Sequence, residues 1–488
     1  MDQANSESSG EAKPGARKLK ICILSLYSYP LFNPACVSPF GGSEVRISLI
    51  AKELAKFPDL DVNLIVFDHG QPRPETRGGV TLYSWPGKYC PLRADNPWSG
   101  ARVQPRPVAG SEPTSDPARS GSGLGLSDFS PSPFRSKWRL YLKAHSPGGM
   151  VNVFRKLRYP VAAVESRVRQ AAAFLRGEPL WGRIRSHTIV NAQVRIYDEI
   201  GAEIYLAHGN HDLTADLAYY CRCRGKKFVM ITGSDQDIGS AADARTAPTD
   251  IYGQLGFLLT YTIENADLIF VQTARQAELA KTHFGRDTII VANPVDLTPR
   301  FSKASGAGKI LWVGKSDDRV KQPELFVDLA RRRPEYDYVM IMNLAIDSVH
   351  RRVLHKSRDL ANLKVLTSVP YEQVEKYFAE SRLLVNTSLF EGFPDTFLQA
   401  SKYGVPVISL HVDPDNMLTT HGCGLVSGGD FDRMVEDVVR LMSDERRYGE
   451  ASACCRTYLA GHHDKEVLVP KYRQALLNLW AGSLTTSE

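Results

Sequence analysis

The chain has 488 residues, 43% of them hydrophobic and 23% charged, with a formal net charge of +6. That is the composition of an ordinary globular protein with room for two sizeable domains plus extra segments, each able to bury a core without metal or disulfide. The eight cysteines form no Cys-x-x-Cys pair and meet no histidine cluster, which argues against a zinc site and for reduced thiols in the cytoplasm.

In chain order, residues 1–17 are polar and Ser/Gly-rich, without the apolar core of a signal peptide. No stretch approaches the ~18 apolar residues that span a bilayer. Residues 20–26 read as a buried parallel strand, and Gly41-Gly42-Ser43-Glu44 opens a helix that Ser43 is placed to cap. Ile47, Ile50, Ala51 and Leu54 repeat at helical spacing, and 61–67 is the next strand, which completes a βαβ unit. Residues 96–133 are dense in Ser, Gly, Pro and Arg and read as a disordered insertion. Residues 134–186 carry twelve Lys/Arg against two acids, with an amphipathic helix over 161–174. This basic face is either a solvated helical surface or a contact for anionic lipid or an acidic substrate. It has no interleaved aromatics and no recognised motif, so nucleic acid is not expected as a partner.

Strands follow at 202–206, 227–231, 266–271 and 288–291, with helices at 213–224, 252–265 and 274–284 between them. After the breaker Asn293-Pro294-Val295-Asp296, a second βα series has strands at 309–314, 337–342, 362–366, 382–386 and 405–410. A last helix covers 466–480. Two Rossmann-like halves joined near residue 300 account for this order.

Ligands bind beyond the carboxyl ends of parallel strands. Three loops satisfy that rule. Lys315 and Lys321 stand six residues apart at one strand exit, where two cations could bracket a diphosphate. In Glu391-Gly392-Phe393-Pro394-Asp395-Thr396, a strand runs into a loop and then a helix whose free N–H groups suit phosphate. Gly392 permits close approach of a ligand, Glu391 can accept from sugar hydroxyls, and Gln399 lies one turn past Asp395 on the same face. Gly41-Gly42 opens its helix toward the interdomain cleft without the Gly-x-Gly-x-x-Gly spacing of a dinucleotide site.

The run from Glu391 through Gly392, Phe393, Pro394, Asp395 and Thr396 to Gln399 resembles the donor-site signature of glycosyltransferase family 4. Ala266-Asp267, Asn293-Pro294-Val295-Asp296, Val313-Gly314-Lys315 and Lys321-Gln322-Pro323-Glu324 support the resemblance, which covers roughly 20–95 and 200–485. It implies an α/β GT-B fold, two Rossmann-like domains facing each other across a cleft. It also implies a retaining hexosyltransferase that uses a nucleotide diphosphate sugar. Lys315 and Lys321 would then hold the diphosphate, and Glu391 would contact the transferred sugar. The family's second acid falls on Gln399, and Gly41-Gly42 would approach phosphates or acceptor. The histidine usual in the family is replaced by Ser234. Asp235 or Asp237 is left to orient the acceptor hydroxyl, with His208 and His211 one strand earlier.

The expected organisation is 1–17 disordered, 18–298 the acceptor-side domain with the insertion 96–133 and the basic segment 134–186, 299–462 the donor domain, and 463–488 a helix packing back on the first domain. Glu391, Asp235 and His208 are the expected catalytic groups. Gly41, Gly42, Lys315, Lys321, Gly392, Phe393, Pro394, Asp395, Thr396 and Gln399 are expected to bind the donor. No metal or other cofactor is expected, since cations and a helix dipole take that place. The expected acceptor is a saccharide or lipid-linked saccharide in polysaccharide or glycoconjugate biosynthesis. The expected location is the cytoplasm, with a possible anionic membrane surface met through 134–186. Two alternatives stand beside this reading: a non-catalytic saccharide- or lipid-binding protein on a decayed scaffold, and a sugar-nucleotide epimerase of similar fold.

Overall fold

A computed structural model describes residues 17–88 and 191–482, apart from 37, 39, 244–249, 251, 305–307 and 368. The expected insertion at 96–133 and the basic segment at 134–186 lie outside the described residues.

The chain builds two sheets in sequence. β1 (Leu19–Leu24) leads through the glycine pair to α1 (Gly42–Leu54) and then β2 (Leu60–Asp68), parallel to β1. β3 (Glu75–Arg77) and β4 (Val80–Lys88) form a hairpin about Gly78 and Gly79, both at positive φ, and β4 runs parallel beside β2. After α2 (Asn191–Ile200) come β5 (Ile204–His208), α3 (Asp212–Arg224), β6 (Lys227–Ile231), α4 (Gln236–Asp243), α5 (Gly256–Asn265), β7 (Leu268–Val271), α6 (Ala274–Phe284) and β8 (Ile289–Ile290). The order is β3-β4-β2-β1-β5-β6-β7-β8, parallel except for β3.

The second sheet begins with β9 (Lys309–Lys315), α7 (Pro323–Arg332) and β10 (Tyr338–Asn343). It continues with α8 (Asp347–Ser357), β11 (Leu363–Leu366), α9 (Tyr371–Ala379), β12 (Ser381–Asn386), α10 (Asp395–Lys402), β13 (Val407–Ser409) and β14 (Gly424–Val426). Its order β11-β10-β9-β12-β13-β14 is wholly parallel. In each sheet the chain reverses direction of travel at one point, between β1 and β5 and between β9 and β12, and ligand crevices form at such points. α11 (Phe431–Ser443) and α12 (Glu445–His462) complete this second lobe.

α13 (Lys465–Ala481) belongs to the other core. Leu468, Val469, Tyr472, Leu476 and Leu479 are buried with Ile21, Ile47, Leu54 and Phe270 of the first lobe. Arg473 grips Asp59 at 2.6 Å, and Lys465 meets Glu53 at 3.0 Å and Asp296 at 3.2 Å. The chain thus crosses between lobes twice, and the crossings lie side by side. Val295 N donates to His463 O at 2.8 Å, and Lys465 N to Val295 O at 3.1 Å.

Several local expectations are corrected. Ser43 does not cap α1. It lies inside the helix, the N-cap is Gly41, and the Glu44 carboxylate reaches back to the Gly41 N–H at 2.6 Å. The helix expected over 252–265 starts only at Gly256, after a turn in which Asp250 Oδ1 accepts from Tyr252 N at 2.9 Å and Gln254 N at 2.8 Å. The strand expected over 405–410 shortens to Val407–Ser409. β3, β4, β14 and α4 had no counterpart in the sequence reading.

Candidate functional site

The carboxyl ends of β9 and β12 place two loops next to each other. Thr387, just past β12, accepts from the Trp312 indole N–H at 2.9 Å and donates to the Lys321 carbonyl at 2.6 Å. That pair of bonds ties the Lys321 backbone to the Glu391 loop. Gln322, between Lys321 and Pro323, sits at φ 45°, a costly conformation for a non-glycine residue, held by Asp317 O accepting from both Lys321 N and Gln322 N. The Lys321 ammonium is paired with the Glu391 carboxylate, which also accepts from Ser388 Oγ at 2.7 Å. Lys315 is exposed at the end of β9, its Nζ 3.1 Å from where a Cβ on Gly41 would stand.

The first lobe meets the Glu391 loop through amides. Gln272 Oε1 accepts from Phe393 N at 2.8 Å, and Asn293 Nδ2 donates to Phe393 O at 3.0 Å and Asp395 Oδ1 at 3.2 Å. Two glycines make this closeness possible. A Cβ on Gly392 would lie 2.9 Å from both Gln272 Oε1 and Gln276 Nε2, and one on Gly42 would lie 2.5 Å from Asp395 Oδ2. Burial pushes the Asp395 carboxyl up to about 6, against the pull of Arg46 and Asn293 and with help from Glu391 and Glu44. Pro394 is the N-cap of α10, Phe393 is buried against His463, and Thr396 lies in the first turn. Gln399 follows one turn on, partly exposed, with no hydrogen bond from its side chain among the described residues.

The expected acceptor-side groups are more constrained. Asp235 is held by Arg275 at 3.2 Å and Gln276 Nε2 at 3.0 Å, yet burial still raises its carboxyl above the ordinary range. Asp237 accepts from the backbone N–H groups of Gly233, Ser234 and Asn210, so it orders the turn after β6. His208 closes β5, and its Nε2 contacts the Arg46 guanidinium. Burial, then Arg46 and His211, hold this imidazole well below its usual range. His211 caps α3 by accepting from Thr214 N at 3.3 Å and is lowered by burial to about 4.

The structure therefore gathers Glu391, Lys321, Lys315, Gly41, Gly42, Gly392, Phe393, Pro394, Asp395 and Asp235 around one cleft. His208 joins them through Arg46 and Asn293. Gln399 and Thr396 make no contact that binds them to the group. Arg46 and Gln276 went unnoticed in the sequence, Gln272 was given no role there, and Asn293 stood only in the breaker that supports the resemblance. Arg46 could have been found: it falls in the stripe Arg46-Ile50-Leu54, where a charge interrupts a buried helix face. Among the described residues, no cluster of three His, Cys, Asp or Glu is placed to hold a metal ion, and no helix is long and apolar enough to cross a membrane.

Residues 307–444, which span β9 to α11, match the family model described as Glycosyl transferases group 1. A lipopolysaccharide 1,6-galactosyltransferase of Salmonella typhimurium is 29% identical over 183 residues, 35% of this chain and 50% of that protein. A glycosyltransferase 1 domain-containing protein of Xenopus tropicalis is 25% identical over 166 residues, 33% of this chain and 48% of that protein. The chain thus spans about half the length of the curated relatives it matches. In fold, the structure of sucrose-phosphate synthase from Thermosynechococcus elongatus covers 96% of this chain and 100% of its own, with a TM-score of 0.63 at 12% identity. The two Rossmann-like lobes thus share the GT-B fold of that structure, and the second lobe resembles the group 1 glycosyl transferases.

Proposed function

We propose that the protein is a retaining glycosyltransferase of family 4 type. It moves a hexose from a nucleotide diphosphate sugar to a saccharide or lipid-linked acceptor in polysaccharide or glycoconjugate biosynthesis. The observation that carries this reading is the Lys321–Glu391 pair at the strand ends of the second lobe, beside the N-terminus of α10, with Lys315 at the end of β9. Negative charge grows on the leaving diphosphate as the glycosidic bond breaks. Lys315, Lys321 and the free N–H groups of α10 would meet that charge without reorganising. Engaging Lys321 with phosphate would release Glu391 toward the sugar hydroxyls. Closure about the paired crossings at Val295 and His463 would exclude water and limit donor hydrolysis.

The test is a panel of UDP-, GDP- and ADP-sugars, first by thermal shift, since a ligand of the native state raises Tm. Transfer with retained anomeric configuration is then followed by NMR. No divalent ion is required in this scheme, so EDTA should leave the rate within about twofold. Product formed without acceptor would make the protein an epimerase. Nucleotide binding without turnover across acceptors would favour the non-catalytic reading, for which the loss of charge at Gln399 speaks. The proposed site of action is the cytoplasm, with residues 134–186 on an anionic membrane surface. Liposome co-sedimentation that ignores anionic lipid content and deletion of 134–186 would refute that contact.

A further inference from the structure

Arg46 is 3% exposed, and its guanidinium touches three segments of the first lobe and its linker. Nη1 donates to Asn293 Oδ1 at 2.5 Å, and Nη2 donates to Thr232 O at 2.5 Å and to His208 Nε2. A guanidinium nitrogen can only donate. The His208 Nε2 that faces it must therefore be the bare acceptor, and the single N–H of the neutral ring lies on Nδ1.

That N–H has no partner among the described residues, and it is not one of the buried polar atoms left unpaired. The half-buried ring stands at the carboxyl end of β5, the strand at the reversal point of the eight-stranded sheet. The charged and titratable groups around the ring are accounted for. Arg46 comes from α1. His211, at the start of α3, uses Nδ1 to accept from Thr214 N. Asp237, from α4, has its oxygens engaged by backbone N–H groups. A Cβ at Gly233 would stand 2.7 Å from His208 Cε1 and 3.2 Å from Nε2, so that edge of the ring lies close against the turn after β6.

We propose that Arg46 is a positioning residue that fixes His208 as a permanent hydrogen-bond donor, through Nδ1–H, to a sugar hydroxyl oxygen in the cleft. His208 then binds and orients, and it takes no proton from the acceptor. The same guanidinium steadies the donor loop, because Asn293, which accepts from Arg46, donates to Phe393 O and Asp395. The choice of ligand rests on the glycosyltransferase reading; the tautomer does not.

The experiment is long-range 1H–15N correlation on the full chain labelled with 15N-histidine, the His208 signal being assigned by its loss in His208→Asn. The expected result is an Nδ1–H ring that stays neutral across the pH range in which an ordinary histidine titrates. An Nε2–H ring, or protonation with a midpoint near the ordinary histidine value, would overturn the proposal. In Arg46→Met the ring should become a tautomer mixture with a higher midpoint. In transfer assays, His208→Asn, whose amide can reach the Nδ1 position, should keep kcat/KM within about tenfold. His208→Gln and His208→Ala should lose on the order of 100-fold, and the wild-type pH profile should show no ionisation of this group. Equal loss in His208→Asn and His208→Gln would also overturn the proposed role. If no donor is turned over while the Nδ1–H ring is observed, the transferase reading fails and the Arg46 assignment stands.

Discussion

Lys321 and Glu391 are each other's partner, and each has a separate task once a donor arrives. Lys321→Ala is therefore expected to lower kcat by about 100-fold, the usual cost of removing one preorganised group that stabilises developing charge, with a smaller rise in KM. Steady-state kinetics with the donor found in the panel would check this; full kcat would remove Lys321 from the chemistry. Asp395 offers a prediction about stability. Its folded value of about 6 lies above the ~4 of an exposed aspartate. The folded state thus holds the proton more tightly, and the stability gained is fully present below about pH 4 and lost as pH rises through 6. Asp395→Asn should raise Tm by a few degrees at pH 8 and by almost nothing near pH 4, as read by calorimetry. Glu391, Lys321 and Lys315 were legible in the sequence because they sit at strand exits in a recognisable run. Arg46 and Gln276 were not, since their partners Thr232, His208 and Asp235 come from segments distant in sequence, the end of β5 and the loop after β6.

Among the elements, α13 is the one whose loss the first lobe would feel most. Tyr472 is 1% exposed, packs at a tilt against Phe270 with ring centroids 4.6 Å apart, and belongs to the core of the eight-stranded sheet. Tyr472→Ala should destabilise by about 3–5 kcal/mol, the range for truncating a buried aromatic. Chemical denaturation would measure it, and a change under 1 kcal/mol would mean the helix contributes little to that core. The long parallel strands and amphipathic helices were readable from periodicity. The short ones were not: β14 has three residues, too few to show a period, and α4 carries Gly239 and Ser240 in a run with little helical propensity. The β3–β4 hairpin did carry a signal, Gly78-Gly79 between two strand-like runs, but it is a local turn grammar and not an α/β alternation.

At the scale of the molecule, the amide side chains and two glycines at the Glu391 loop are among the contacts between the two lobes, beside the Phe40–Tyr371 ring pair, Arg319 over Tyr252, and Ala274 N donating to Asp415. Gly392→Ala would put a methyl within 3.0 Å of Gln272, Gln276 and Ser234 in one step. It should lower kcat/KM by at least tenfold while leaving the melting of the lobes nearly unchanged, a split visible by pairing kinetics with calorimetry. Unchanged kinetics would show that this approach is not part of the working geometry.

The return of α13 to the first lobe has a consequence for how the protein is made. Its core side chains Leu468, Tyr472 and Leu476 leave the ribosome after the entire second lobe, yet they fill the middle of the first. The lobe translated first is therefore finished last, and until then it presents an apolar groove over Ile47, Leu54 and Phe270. Synthesis arrested before residue 465 should leave that lobe dependent on a chaperone, while the six-stranded lobe has already closed its own core.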